Sequence, residues 1–397
     1  MKLYKNLVSA IATTLQEIFN NNRYADKALE RLLKQNSKWG SRDRRFVAEA
    51  VYDIVRNYRL YAHLAGNPKN YWFITAVWLV VKHREVPAWQ EFQHVDAAFI
   101  LMKEAEARAN PALFESYPDW MWDLGSSELG SDTWLKEATA MNVPASVYLR
   151  VNTLKTSRKK LKQALEEDKI ETTEVEGVET ALELKKRENI FQHPLFREGW
   201  FEVQDAGSQM ISTFLDVNAK DLVIDACAGA GGKSLHLAAL MNNKGKIISL
   251  DVEQWKLDEL KKRARRAGAF NIETRLITEK TISSLAGKAD KLLLDVPCSG
   301  LGVLKRNPDA KWKLSTEVIE RTKALQKKIL KEYSEMVKEG GYMVYSTCSI
   351  LPSENNLQIE SFIDENPQFK LLTEKSLFPS QGFDGFYMAL LKREVIA

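Results

Sequence analysis

From Gln204 onward, short apolar runs alternate with longer amphipathic stretches, and this rhythm restricts the fold to a narrow set. Leu222 to Ile224, Lys246 to Leu250 and Lys291 to Leu294 have the length and apolar density of buried strands. Helical spacing follows from Lys233, from Glu253 to Gly268 and from Thr316 to Lys338. Strands joined by crossover helices form right-handed βαβ units, so the spacing predicts a doubly wound α/β sheet. Such sheets bind ligands at the carboxyl ends of their strands. Two of the chain's three cysteines fall there: Cys298, three residues after Asp295 in Asp295-Val296-Pro297-Cys298-Ser299-Gly300, and Cys348, in Ser346-Thr347-Cys348-Ser349 after the run Gly341 to Tyr345. Free cysteine is otherwise a small buried hydrophobe, the reading that suits Cys227. Pro297, Gly300 and Gly302 break the strand at Cys298, and Ser346, Thr347 and Ser349 make the other strand end polar. Two thiols beside the Asp295 carboxylate point to covalent chemistry.

At 397 residues, 45% hydrophobic and 28% charged, the chain has room for two or three domains and the composition of a soluble protein. Three cysteines without Cys-x-x-Cys spacing and five scattered histidines argue against a disulfide framework and against a metal site. The thiols are expected to be reduced, as in cytoplasm. Leu7 to Leu15 carries Ser9, Thr13 and Thr14 and runs into Gln16 and Glu17, so it reads as an amphipathic helix rather than a signal core. No apolar run approaches the ~20 residues that span a bilayer. A net charge of +4 is too small to establish nucleic-acid binding, but the basic residues are grouped. Arg42, Arg44, Arg45, Arg56 and Arg59 form one group, Lys155 to Lys162 a second, Lys261 to Arg266 a third, and Lys305, Arg306, Lys311 and Lys313 a fourth. Each alone reads equally well as a solvated helix face; several around one crevice suit a polyanionic substrate.

Leu3 to about Phe114 carries apolar residues at helical spacing and predicts an all-helical domain. Pro111, Pro118, Gly125, Gly130 and Pro144 punctuate a connecting segment whose Trp120, Trp122 and Trp134 are expected to pack between domains. Val147 to Asn152, the basic helix Ser157 to Glu167, and strand-like runs near Glu171 to Val175 and Ala181 to Leu184 suggest a small α+β module ending near Trp200 to Val203.

The strand at Leu222 enters Asp225-Ala226-Cys227-Ala228-Gly229-Ala230-Gly231-Gly232-Lys233-Ser234. Glycines let such a turn approach a ligand closely, and the following helix offers unpaired N–H donors. Gly232-Lys233-Ser234 has the ending of a phosphate-binding loop, but Cys227 stands where that loop needs its first glycine. A dinucleotide fingerprint fails because Ser234 takes its third glycine position. S-adenosylmethionine remains the better cofactor, with Asp251, at the end of the next strand, as the carboxylate for its ribose.

Taken together these segments resemble the RsmB/Nop/Sun family of RNA cytosine-5 methyltransferases over nearly the whole chain. Pro297 to Gly300 and Thr347 to Ser349 match its two cysteine motifs, and Asp225 to Ser234 its cofactor loop; Asn307-Pro308-Asp309 with Lys311-Trp312, Gln204-Asp205 with Ser208-Gln209, and Asp384-Gly385-Phe386 are also similar. The helical region, with Ser41-Arg42-Asp43-Arg44-Arg45, resembles the NusB-like RNA-binding domain of the RsmB branch. The resemblance implies a multidomain chain: an all-α NusB-like domain at 1–125, connecting helices with a small α+β RRM-like module at 126–204, and an α/β Rossmann-like class I methyltransferase domain at 205–397. It implies S-adenosylmethionine held by Cys227, Ala228, Gly229, Ala230, Gly231, Gly232, Lys233, Asp251 and Asp295, with no metal. It further implies attack on cytosine carbon 6 by Cys348, Asp295 holding the ring, and Cys298 assisting release. The residues alone leave the two thiols exchangeable. Arg42, Arg44, Arg45, Lys305, Arg306 and Lys311 are the expected RNA contacts, ribosomal RNA the expected substrate, and the chain is expected to act as a cytoplasmic monomer without membrane. Three positions depart from the pattern: Ala230 replaces a proline, Lys256 an arginine, and Thr278 an acidic residue that helps hold adenosine. An inactive RNA-binding assembly factor and a DNA cytosine methyltransferase are the competing readings.

Overall fold

The computed structural model describes residues 3–83 and 85–395. They form two compact units, Met1–Val143 with Leu304–Thr316, and Pro144–Val303 with Glu317–Ala397. These divisions differ from the expected boundaries at 125/126 and 204/205. Helices Asp119–Leu129 and Ser131–Met141 belong with the helical residues before them, because Trp134 is fully buried edge-on against Tyr117 and Trp122. Trp122 and Trp134 therefore pack inside the first unit, not between domains.

The helices of this unit follow the apolar spacing. Lys5–Asn20 buries Leu7, Val8, Ile11, Leu15 and Ile18, and Ser41–Arg56 buries Phe46, Val47, Ala50, Val51, Ile54 and Val55. Both stripes pack on Tyr71–His83, where Ile74, Val77 and Leu79 are fully buried. Each such Val, Leu, Ile or Phe side chain contributes about 1.5–3 kcal/mol on leaving water. Among the described residues, no helix is long and apolar enough to cross a membrane.

The second unit holds two sheets. Strands β1 (Tyr148–Val151), β2 (Thr172–Glu174), β3 (Ala181–Leu184) and β4 (Phe201–Val203) form an antiparallel sheet in the order β2-β3-β1-β4. Helix Arg158–Glu167, capped by the Ser157 side chain, buries Leu161 and Leu165 against it. The larger sheet comprises β5 (Leu222–Asp225), β6 (Lys246–Asp251), β7 (Ile272–Leu276), β8 (Ala289–Asp295), β9 (Val337–Thr347), β10 (Phe369–Leu377) and β11 (Phe386–Arg393) in the order β10-β11-β9-β8-β5-β6-β7. From β5 to β9 all pairings are parallel, and β10 and β11 add an antiparallel edge. Strand order reverses between β5 and β8, so the crevice of this sheet opens where Asp225, Asp251, Asp295 and Thr347 end their strands. The helix expected from Thr316 to Lys338 ends at Tyr333. Val337 already pairs with Ala289, and Gly341 lies so close to Ala289 that a Cβ there would meet its carbonyl oxygen at 2.9 Å.

Candidate active site

The loop after β5 is pinned from beneath by its backbone: Ala226 donates to the Leu293 carbonyl at 3.0 Å and Ala228 to that of Leu250 at 2.9 Å. Gly231 turns it into helix Gly232–Leu240 at φ +86°, where a Cβ would lie 2.4 Å from Leu260 Cγ. Only glycine fits that position. Above the loop is a cavity of about 260 Å³ whose lining includes Gln204, Asp225, Cys227, Lys233, Arg263 and Asp295. Two arginines tie the small module to the loop: Arg150 donates to the carbonyl of Gly232 and to Gln204 Oε1, and Arg263 to the Ala230 carbonyl at 2.8 Å while pairing with Glu202 at 3.0 Å. Burial lowers the Arg150 guanidinium to about 10, so it stays charged at neutral pH.

Three carboxylates face this region in different states of saturation. Asp251 accepts from Gly229 N–H and Glu253 N–H, each at 2.9 Å, with Lys256 Nζ 3.8 Å away. Asp225 accepts from Ser234 Oγ at 2.6 Å through Oδ2, but its Oδ1 is buried with no partner. Burial first, then the charges of Asp295 and Asp251, push the Asp225 carboxyl up to about 6 against the opposing pull of Ser234 and Lys233. An orphaned carboxylate oxygen in a cavity wall is a socket for a cationic donor, which fits the ammonium of S-adenosylmethionine. Asp251, with lone pairs to spare, fits its ribose hydroxyls. Cys227 lines the cavity half-buried; burial, and then the charges of Asp225, Asp295 and Asp251, hold its thiol well above the usual range.

At the ends of β8 and β9 the two other thiols come together. Cys298 Sγ and Cys348 Sγ lie 3.1 Å apart, and Cys348 N–H donates to Cys298 Sγ at 3.2 Å. Cys298 is held well above the ordinary thiol range by its hydrogen bond with Cys348, by burial, and by the charges of Cys348 and Glu354. Asp295 pairs with Lys233 Nζ and accepts from Ser346 Oγ at 3.0 Å. The loops close over tight glycine contacts: Gly302 N–H donates to the Cys348 carbonyl at 2.9 Å and Gly385 N–H to that of Gly302 at 2.7 Å. This accounts for the Asp384-Gly385-Phe386 motif. Lys233, expected on the cofactor, lines the cavity and pairs there with Asp295.

Sequence reasoning missed Asp225, Arg150, Ser346 and Glu354. Asp225 lay within the recognised loop and could have been singled out as the carboxylate ending β5; Glu354 gave no signal, because Ser299 and Gln326 reach it only in the folded chain. Thr278, where an acidic residue was expected, caps helix Glu279–Leu285 in a reciprocal pair with Thr281. Among the expected RNA contacts, Arg42 and Arg45 are exposed, while Arg44 is half-buried with Nη1 on the Leu33 carbonyl at 3.2 Å. Lys305 is largely buried and Arg306 half-buried. Lys311 corrects the expectation: it is 1% exposed, and its ammonium donates to the carbonyls of Arg56, Glu115 and Ser116 and to Asn142 Oδ1 at 2.6 Å, over the Tyr117 ring. It is a structural side chain of the helical unit, with no face left for phosphate.

Residues 212–392 match the family described as 16S rRNA methyltransferase RsmB/F, and residues 117–190 its ferredoxin-like domain. A probable ribosomal RNA small subunit methyltransferase B of Synechocystis is 37% identical over 64% of this chain and 58% of its own length. The ribosomal RNA small subunit methyltransferase B of Vibrio cholerae is 31% identical over 73% of this chain and 68% of its own. Among solved structures, PH0851 superposes with a TM-score of 0.82 at 26% identity, covering 98% of this chain and 99% of that one. A methyltransferase homolog from Pyrococcus horikoshii gives 0.64 at 28% identity over 72% and 98%. The fold and the family match define a Rossmann-like methyltransferase that uses S-adenosylmethionine. Within that class, the chain belongs to the RsmB/F family of ribosomal RNA methyltransferases.

Proposed function

We propose that this protein methylates carbon 5 of cytosine in ribosomal RNA through a covalent adduct on Cys348. The observation that carries the reading is the pair of sulfurs 3.1 Å apart beside Asp295 at the carboxyl edge of the sheet. Asp225, Asp251 and the loop to Gly232 would hold S-adenosylmethionine, which would supply an electrophilic methyl group and leave as S-adenosylhomocysteine with the electron pair of the broken sulfur–methyl bond. Carbon 5 of cytosine is a weak nucleophile. Addition of the Cys348 thiolate to carbon 6 pushes the ring electrons onto carbon 5, which then takes the methyl. Asp295, itself steadied by Lys233 and Ser346, holds the ring through a proton shared with nitrogen 3, which goes to the ring as negative charge builds on it during addition. Removal of the carbon 5 proton restores the double bond as the carbon 6 to sulfur bond breaks and the thiolate leaves. A group that takes up this proton belongs beside the nucleophile, and Cys298 stands there. A thiol that keeps its proton can pass it to the departing Cys348 sulfur while its own sulfur takes up the one from carbon 5, and resistance to ionisation disfavours Cys298 as the attacking thiolate, which favours the stated assignment over the exchanged one.

The base must leave any stack to reach the thiols, so the substrate is a loop or partly unfolded RNA. The helical unit is read as NusB-like, with Arg42 and Arg45 on the first turns of helix Ser41–Arg56 as its phosphate contacts. Incubation with S-adenosylmethionine and unmodified 16S ribosomal RNA, followed by digestion and mass spectrometry, is expected to yield 5-methylcytidine. Its absence, on naked RNA and on immature small subunits alike, would identify an RNA-binding assembly factor instead.

A further inference from the structure

We propose that Glu354 positions both thiols: one buried carboxylate clamps the Cys298 loop to the Cys348 loop and lays its negative charge beside Cys298, a role that rests on the covalent reading of that pair. Glu354 ends the turn Pro352–Glu354 beyond β9 and is fully buried. Its Oε1 accepts from Ser299 N–H at 2.8 Å and from Gln326 Nε2 at 3.0 Å. Its Oε2 accepts from Ser299 Oγ and Ser349 Oγ, both at 2.5 Å. Ser299 directly follows Cys298, and Ser349 directly follows Cys348. All of these donors are neutral, so the charge is held by hydrogen bonds and not by a cation, an arrangement that is stable only while every donor stays in place.

The neighbours complete the grip. Gln326 Nε2 also donates to the Pro297 carbonyl at 3.0 Å, so the Cys298 residue is fixed on both sides. Asn355 accepts from Thr347 Oγ1 at 2.6 Å and donates to the Ser349 carbonyl at 3.1 Å, fixing Cys348 likewise. Tyr345 Oη donates to the Glu354 carbonyl at 2.7 Å and ties the turn back to β9. Through these bonds a shift of either loop is transmitted to the other, which keeps the sulfurs in register. The carboxylate also acts at a distance. The hydrogen bond with Cys348 and burial act first on Cys298, and the charges of Cys348 and Glu354 add to them, so Glu354 disfavours a second negative charge on Cys298. One thiol of the pair is thereby reserved as the proton carrier.

The test is Glu354→Gln in the full chain, read in two ways. Misplacing the sulfurs is expected to lower kcat on the order of 10²-fold with little change in KM for RNA. Iodoacetamide labelling across pH, located by peptide mass spectrometry, is expected to show Cys298 reacting from about one pH unit lower than in the parent protein. A purely structural role moves stability and kcat but not that labelling profile, so an unshifted Cys298 profile overturns the proposal. If Glu354→Gln fails to fold by circular dichroism, Ser299→Ala and Ser349→Ala each remove a clamp donor and are expected to lower kcat. Parent-level kcat in both would overturn the clamp. Labelling needs neither RNA nor cofactor, so a shifted profile in a protein that makes no 5-methylcytidine upholds the clamp and removes the methyltransferase reading.

Discussion

Asp225 shows how the site trades stability for binding. Its carboxyl titrates near 6 in the folded chain against an ordinary 3.8. The unfolded chain therefore releases this proton first as pH rises, and folding loses stability across that window, by about 2–3 kcal/mol once pH exceeds the folded value. Asp225→Asn is accordingly expected to raise the melting temperature of the cofactor-free protein at pH 7.5 and to leave it nearly unchanged at pH 4. The same substitution would remove the proposed partner for the cofactor's ammonium. Affinity for S-adenosylmethionine, measured by calorimetry, is expected to fall at least about tenfold, the value of one charge-assisted hydrogen bond. In the parent protein it should weaken as pH drops from 7 to 5. A pH-independent affinity would place the ammonium elsewhere.

Between strands and helices, the cofactor loop is the most constrained element. Gly231→Ala puts an alanine at φ +86° with its Cβ 2.4 Å from Leu260. Left-handed strain and overpacking together are expected to cost about 2–4 kcal/mol. A urea midpoint lowered by that amount, with weakened cofactor binding, would be the expected result; unchanged affinity would mean the loop can close by another path. Elements like this were legible because their residues are chemically singular: glycines at a strand end, cysteines beside proline or threonine, apolar runs buried on both faces. Less legible were β7 and β10, sheet edges whose polar and apolar residues are largely half-buried or exposed, which removes the alternation a strand otherwise shows. Thr278 was legible only as a gap in a pattern, although its hydroxyl has a local task at a helix start. Glu354 was invisible for a physical reason, since its meaning lies in donors that only the folded chain assembles.

Across the molecule, charge has two different uses that the sequence does not separate. Lys311 is spent inside the helical unit, where burial pushes its amine well below the usual range and four oxygens receive it. Lys311→Met leaves those oxygens without a donor and is expected to cost about 2–4 kcal/mol by thermal unfolding, with RNA affinity unchanged below the transition. Arg42→Ala with Arg45→Ala is expected to do the reverse. The fold is kept, and the slope of RNA affinity against salt falls by about one per residue that meets a phosphate. The central claim, that catalysis runs through a sulfur adduct with Cys348 attacking and Cys298 releasing, is tested most directly by trapping. Cys298→Ala incubated with S-adenosylmethionine and ribosomal RNA should accumulate a protein–RNA adduct that resists denaturation and maps by peptide mass spectrometry to Cys348, and Cys348→Ala should form none. An adduct mapping to Cys298 in Cys348→Ala would contradict the account.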